Sequence, residues 1–165
     1  MIIVAVAASS YEYVRTRRAA VFAFVALVVV GQVVVVNLTK LAVDRARPDI
    51  SRLTGFSGAS FPSGHAATAA ATFAAAALLL GRGRSRVVRA MLAGAVGAIG
   101  FAVAATRVLL GVHWLTDVVA GLIIGWSWFA LCSVAFGGRM LRFGQPVRVA
   151  KQTAQAVPGT DGAAT

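Results

Sequence analysis

The chain has two histidines, His65 and His113, each in a short polar island among apolar residues, and Lys40, Arg47, Arg107 and Asp117 stand near them in the sequence. His113 and Asp117 are four apart and share a helical face. The carboxylate can hold one ring nitrogen and leave the other with its lone pair directed outward. That is a nucleophile or base with its orienting group, although a purely structural His–Asp pair has the same spacing. Lys40 and Arg47 are two helical turns apart and would share a face on a helix that runs on to Pro48, which ends it. Taken alone they read equally well as a basic anchor reaching for headgroups. Phe61-Pro62-Ser63-Gly64-His65 opens an apolar segment. Pro suits a first helical turn, Gly64 lets a ligand approach the backbone, and the N–H groups of a helix start attract anions. His65 alone reads as readily as an interfacial, hydrogen-bonded histidine. Together these groups suit gripping a phosphate with cations and attacking it with an imidazole.

Such groups must be held by the segments around them, and 59% of this chain is hydrophobic. Polar groups isolated in such a setting cost several kcal/mol each, so their concentration calls for a function. Four stretches are long enough to cross a bilayer, which takes about 20 apolar residues. They run over about 19–39, 62–80, 87–106 and 114–136. The second and third are rich in small residues, among them Gly94, Gly97 and Gly100, which favour close helix packing in lipid. The first is rich in Val, but its length rules out a buried strand. The expected fold is therefore all-α, an integral-membrane helical bundle of about four spans.

The opening MIIVAVAA is too short to cross and is followed by Ser9, Ser10 and Glu12. It lacks the features of a signal peptide. It reads as an interfacial stub, or as the inner end of a helix that begins upstream, and the sequence leaves both open. Residues 1–143 make one membrane domain, and 144–165, without periodicity, read as a disordered cytoplasmic tail.

The formal charge of +11 does not point to nucleic acid, because the basic residues form no aromatic-interleaved stripe. They cluster between the apolar segments. Arg15, Arg17 and Arg18 precede the first span, Arg82, Arg84, Arg86 and Arg89 link the second and third, and Arg139, Arg142, Arg148 and Lys151 follow the fourth. With four crossings these 11 of the 16 basic residues share one side, which the positive-inside tendency places in the cytoplasm. Lys40, Arg45, Arg47, Arg52, Arg107 and both histidines then share the outer face. The single cysteine, Cys132, lies in an apolar run and excludes both an intramolecular disulfide and a cysteine-based metal site.

The order Lys40-x6-Arg47-Pro48, Pro62-Ser63-Gly64-His65 and Arg107-x5-His113-x3-Asp117 resembles the type 2 phosphatidic acid phosphatase family, which shares its site with vanadium haloperoxidases. Thr106 stands where the family usually has Ser, and it keeps the hydroxyl. The chain also shows four spans where bacterial relatives commonly have six. The resemblance implies that His113 attacks phosphorus to form a phosphohistidine while Asp117 orients it. His65 would act as acid to the leaving group and then as base for water. Lys40, Arg47 and Arg107 would neutralise the phosphate oxygens, with Ser63, Gly64 and Thr106 adding hydrogen bonds. No metal or other cofactor is implied.

The function expected on this resemblance is a lipid phosphate phosphatase of a bacterial inner membrane. Its substrate would be phosphatidic acid, phosphatidylglycerol phosphate, or a polyprenyl phosphate or diphosphate. The Ala-, Val-, Gly- and Arg-rich composition suggests a GC-rich bacterium. A decaprenyl-phosphoryl-phosphoribose phosphatase is then a specific candidate, although that role could require a cytoplasmic site. A vanadate-dependent haloperoxidase and a non-enzymatic lipid-binding or transport protein are the rival classes. Expected partners are the bilayer and the lipid substrate, with homo-oligomerisation left open.

Overall fold

In the computed structural model, residues 1–49 and 58–140 are described, with side chains as far as Phe136. Every element among them is helical: α1 (Ile2–Thr16), α2 (Ala20–Val43), α3 (Gly64–Gly81), α4 (Arg86–Leu109) and α5 (Leu115–Met140). Helices α2 to α5 each contain a stretch long and apolar enough to cross a membrane. Their outward residues are large and apolar, Val30, Leu38, Phe101, Ile123 and Leu131 among them. In lipid such a surface carries no penalty, and helices satisfy every backbone group internally. Met1–Cys132 form one compact unit, which holds everything described below, and Ser133 onward falls in a second.

Helix α3 is the hub of the first unit. Ala66, Ala67, Ala69, Ala70 and Ala71 are each fully buried, so its backbone comes close to its neighbours. Just below the polar end, Ala66 and Ala70 meet Ala104 of α4 and Val118 and Leu122 of α5. Two glycines on α5 make this approach possible. A Cβ on Gly121 would lie 2.5 Å from the Ser63 carbonyl, and one on Gly125 would lie 2.4 Å from the Ala67 carbonyl. By contrast, a Cβ on Gly94 or Gly97 of α4 would meet nothing within 4 Å. Of the three α4 glycines expected to pack, only Gly100 does, against Leu122 and Trp126. Gly94 and Gly97 lie on the side of α4 turned away from this contact.

The opening segment is helical over Ile2–Thr16, beyond the eight apolar residues that open the chain. Ala5, Ala8, Ser9 and Glu12 form its buried side. Ser9 does not break the helix because its hydroxyl donates to the Ala5 carbonyl at 2.7 Å. Glu12 is buried beside two guanidinium groups, with Arg82 at 3.3 Å and Arg15 at 3.6 Å. A buried carboxylate persists only when it is paired in this way. Arg15 also donates to the Arg82 carbonyl at 2.8 Å, and Arg84 to the Tyr11 hydroxyl at 3.2 Å. The basic cluster before α2 and the one between α3 and α4 therefore share one end of the bundle, as the alternation of spans requires. The expected tail, 144–165, lies outside the described residues.

Candidate active site

The residues with chemical promise gather at the other end, where α2 finishes, α3 begins, and α4 turns into α5. Helix α2 does not continue to Pro48. It stops at Val43, and Asp44 takes a left-handed conformation with φ 38°, its amide donating to the Lys40 carbonyl at 2.9 Å. Asp accepts this region more readily than most residues. Lys40 and Arg47 therefore share no helical face, yet they still converge. Lys40 Nζ and Arg47 Nη2 both donate to the Ala59 carbonyl, at 2.5 and 3.3 Å. Arg47 also donates from Nε to Gly58 O and from Nη1 to Val112 O, each at 2.9 Å. Its planar fork thus ties the approach to α3 to the residue preceding His113.

Ser63 is the N-cap of α3: its hydroxyl accepts from the Ala66 amide at 3.5 Å, and it is fully buried. Pro62 accordingly stands before the cap, not in the first turn. The Ser63 amide donates to the Asp117 carbonyl at 2.9 Å, which locks the start of α3 to the start of α5. Gly64 and His65 open α3. His65 is exposed at this end and lies within the fields of Arg107 and Arg47.

Helices α4 and α5 are joined by a short turn. Gly111 has φ 67°, the left-handed position after a helix end, and His113 follows it at the mouth of α5. His113 is 5% exposed and Asp117 is fully buried. His113 Nδ1 faces Asp117 Oδ2 at 3.4 Å, and that oxygen also accepts from the Trp114 amide at 2.9 Å. The separation is long for a strong hydrogen bond. Burial holds the His113 imidazole below its ordinary pKa, the charge of Arg47 adds to that effect, and Asp117 opposes it. Lys40 lies within the fields of both Arg47 and Asp117.

Thr106 is less well placed than its position in the motif implies. It is exposed, and its hydroxyl donates back to the Val103 carbonyl of its own helix at 2.7 Å. Arg107 Nε approaches the same hydroxyl at 3.4 Å. Sequence reasoning counted Arg45 only as an outward-facing charge, yet it is built into the site. Its Nη1 donates to Asp117 Oδ1 at 3.0 Å and to Thr116 Oγ1 at 2.6 Å, and its guanidinium lies 5.5 Å from the centre of the Trp114 ring. The available signal was weak, an arginine two residues before the motif Arg47. Among the described residues, no three His, Cys, Asp or Glu side chains come together as metal ligands would.

The surroundings of this site match known proteins. Over 105 residues the chain is 42% identical to a lipid A 1-phosphatase of Rhizobium etli, covering 58% of this chain and 41% of that protein. It is 33% identical over 108 residues to phosphatidylglycerophosphatase B of Bacillus subtilis, covering 62% and 51%. The crystal structure of a transmembrane PAP2 type phosphatidylglycerolphosphate phosphatase from Bacillus subtilis superimposes with a TM-score of 0.75 at 27% identity, covering 84% of this chain and 69% of that one. The chain thus spans about half the length of the two relatives. The sequence pattern of the PAP2 superfamily covers residues 18–141, a stretch that holds all three motif segments and helices α2 to α5, and the chain belongs to that superfamily.

Proposed function

We propose that this protein is a membrane lipid phosphate phosphatase acting through a phosphohistidine at His113. One observation carries the reading above the rest: a buried imidazole is paired through Nδ1 with Asp117 and lies within the fields of Arg47 and Lys40. With Nδ1 turned to the carboxylate, the Nε2 lone pair attacks phosphorus and the bond to the lipid oxygen breaks. His65 gives that oxygen its proton. A water then attacks the phosphohistidine while His65 takes a proton back, releasing inorganic phosphate and restoring the imidazole. Asp117 stabilises the cationic ring between the two steps. Phosphoryl transfer asks chiefly for positioning and charge stabilisation, and Lys40, Arg47, Arg107 and the α3 N-terminus provide both. The reaction is accordingly proposed to need no metal. The substrate carries its phosphate at the bilayer surface and its hydrocarbon among the helices, consistent with the lipid phosphatases named among the relatives. The positive-inside bias supports an outward-facing site in a bacterial inner membrane.

Phosphate release by detergent-purified protein from phosphatidic acid, phosphatidylglycerol phosphate, lipid A and a polyprenyl phosphate, with EDTA present, tests this reading. Turnover of at least one lipid in EDTA is expected. No release from any of them, or release that requires added Mg²⁺, would contradict it.

A further inference from the structure

At the end of the bundle opposite the site, cations gather around the turn from α3 to α4. The Arg84 amide closes that turn on the Gly81 carbonyl at 3.1 Å, and Gly83 takes φ 71°. Arg15 of α1 reaches across it. Its Nη2 donates to the Arg82 carbonyl at 2.8 Å and lies 3.4 Å from the place a Gly83 Cβ would take. Arg84 donates to the Tyr11 hydroxyl at 3.2 Å, and the stem of Arg89 folds back to 3.3 Å from the place of a Gly81 Cβ. Arginines from two separate segments are thus held over one turn.

Glu12 is the only carboxylate in residues 1–18 and 82–89, which carry seven arginines. It is buried, and its oxygens already face Arg82 and Arg15. Among the described residues, Arg84, Arg86 and Arg89 have no carboxylate partner, and all three are exposed. Like charges crowded in this way repel one another, so the cluster gains from an anion. Its depth narrows the choice. Spans begin or end at Ala20, Gly81 and Arg86, which sets the cluster at the level of the lipid headgroups. Val14, Val87 and Met91, which neighbour these arginines along the chain, are 67%, 68% and 69% exposed. A free anion would meet only the cations, whereas a lipid meets the cations with its phosphate and covers the apolar residues with its chains. The guanidinium fork matches a pair of phosphate oxygens.

We propose that this end of the bundle is a docking site for an anionic phosphodiester lipid of the adjoining leaflet, its phosphate held by Arg84, Arg86 and Arg89 and its chains laid along α4. The site stands apart from the catalytic end, so the inference does not depend on the phosphatase reading.

The test titrates the detergent-purified chain with dioctanoyl phosphatidylglycerol and, separately, with dioctanoyl phosphatidylcholine, and follows thermal unfolding. The concentration giving half the maximal rise in Tm reads the affinity. Phosphatidylglycerol should raise Tm saturably and phosphatidylcholine should not. An arginine at an anionic surface is worth about a fivefold factor in binding, so Arg84→Gln, Arg86→Gln and Arg89→Gln together should weaken the response about 100-fold. Arg15 and Arg82 are left in place because they pair the buried Glu12. Should the triple variant fail to fold, Arg86→Gln alone, with about a fivefold loss, carries the test. Lys40→Gln, at the catalytic end, should respond as the wild type does. Equal responses to the two lipids, or an arginine variant with the wild-type response, would overturn the proposal. So would a response lost in Lys40→Gln, which would seat the lipid at the catalytic end. Glycerophosphoglycerol, the same headgroup without chains, acting at the same concentrations as phosphatidylglycerol would make the ligand a free anion and overturn it as well.

Discussion

Arg45 and Asp117 are joined across the mouth of the site, with Arg45 Nη1 3.0 Å from Asp117 Oδ1, while the other carboxylate oxygen faces His113. The segment after α2 thereby fixes a carboxylate on α5 that in turn fixes the imidazole. Arg45 touches no reacting atom in this arrangement and is a positioning residue. Arg45→Met should lower kcat roughly 10- to 100-fold with little change in KM, because a small misplacement of a catalytic group is costly. Arg45→Lys should recover only part of the loss, since it keeps the charge but not the fork or the stacking on Trp114. A Michaelis–Menten comparison of the three proteins checks this. A change confined to KM would assign Arg45 to substrate binding instead.

The His113 imidazole sits below its ordinary value of 6.5 because it is buried and faces Arg47. Only the neutral ring can attack. As pH falls through the depressed pKa the ring gains a proton and activity is lost, so the acid limb of kcat/KM should have its midpoint below 6.5. Arg47→Gln removes one cause of the depression and should move that midpoint upward, besides weakening phosphate binding. A pH–rate profile on both proteins provides the check. A wild-type midpoint above 6.5 would run against the stated cause.

The glycine contacts separate two kinds of small residue. Gly121→Ala forces a methyl against the Ser63 carbonyl, a backbone atom that cannot turn aside. It should cost about 1–3 kcal/mol, the usual range for overpacking, and should lower activity because α3 carries His65. Gly94→Ala meets open space and gains helix propensity, so it should be neutral or mildly stabilising. Thermal unfolding in detergent distinguishes them.

This contrast also marks how far the sequence could be read. Length and apolarity made the four spans legible. Gly121 and Gly125 were missed because a glycine in a helix does not announce whether a neighbour lies against it. The end of α2 was misplaced because Pro48 is a strong stop, whereas the stop at Asp44 depends on tolerance of a left-handed backbone. Ser9 and Glu12 read as polar interruptions because their partners, the Ala5 carbonyl and the arginines, become visible only in the fold. Among the site residues, the type and order of Lys40, Arg47, His65, His113 and Asp117 were legible. The role of Arg45 was not, since it depends on a contact 72 residues away.

The orientation of the bundle has a direct check. Single cysteines at Ser57, in the segment joining α2 and α3, and at Ser85, between α3 and α4, should respond differently to an impermeant maleimide applied to intact cells. Labelling at 57 without labelling at 85 is expected. The reverse pattern would turn the site to the cytoplasm.

The central claim assigns the attacking nitrogen to His113 and the proton to His65, and phosphate trapping tests it most directly. The enzyme is given a ³²P-labelled aryl phosphate, whose good leaving group needs little protonation, and is quenched in alkali. His65→Ala should lose about 10²–10⁴-fold in turnover of lipid substrates, the usual worth of a general acid. With the aryl phosphate it should still form the phosphoenzyme, and acid-labile, base-stable label should build up because the second step lacks its base. His113→Ala should take up no label from either substrate. Label retained in His113→Ala and missing from His65→Ala would reverse the assignment and contradict the account.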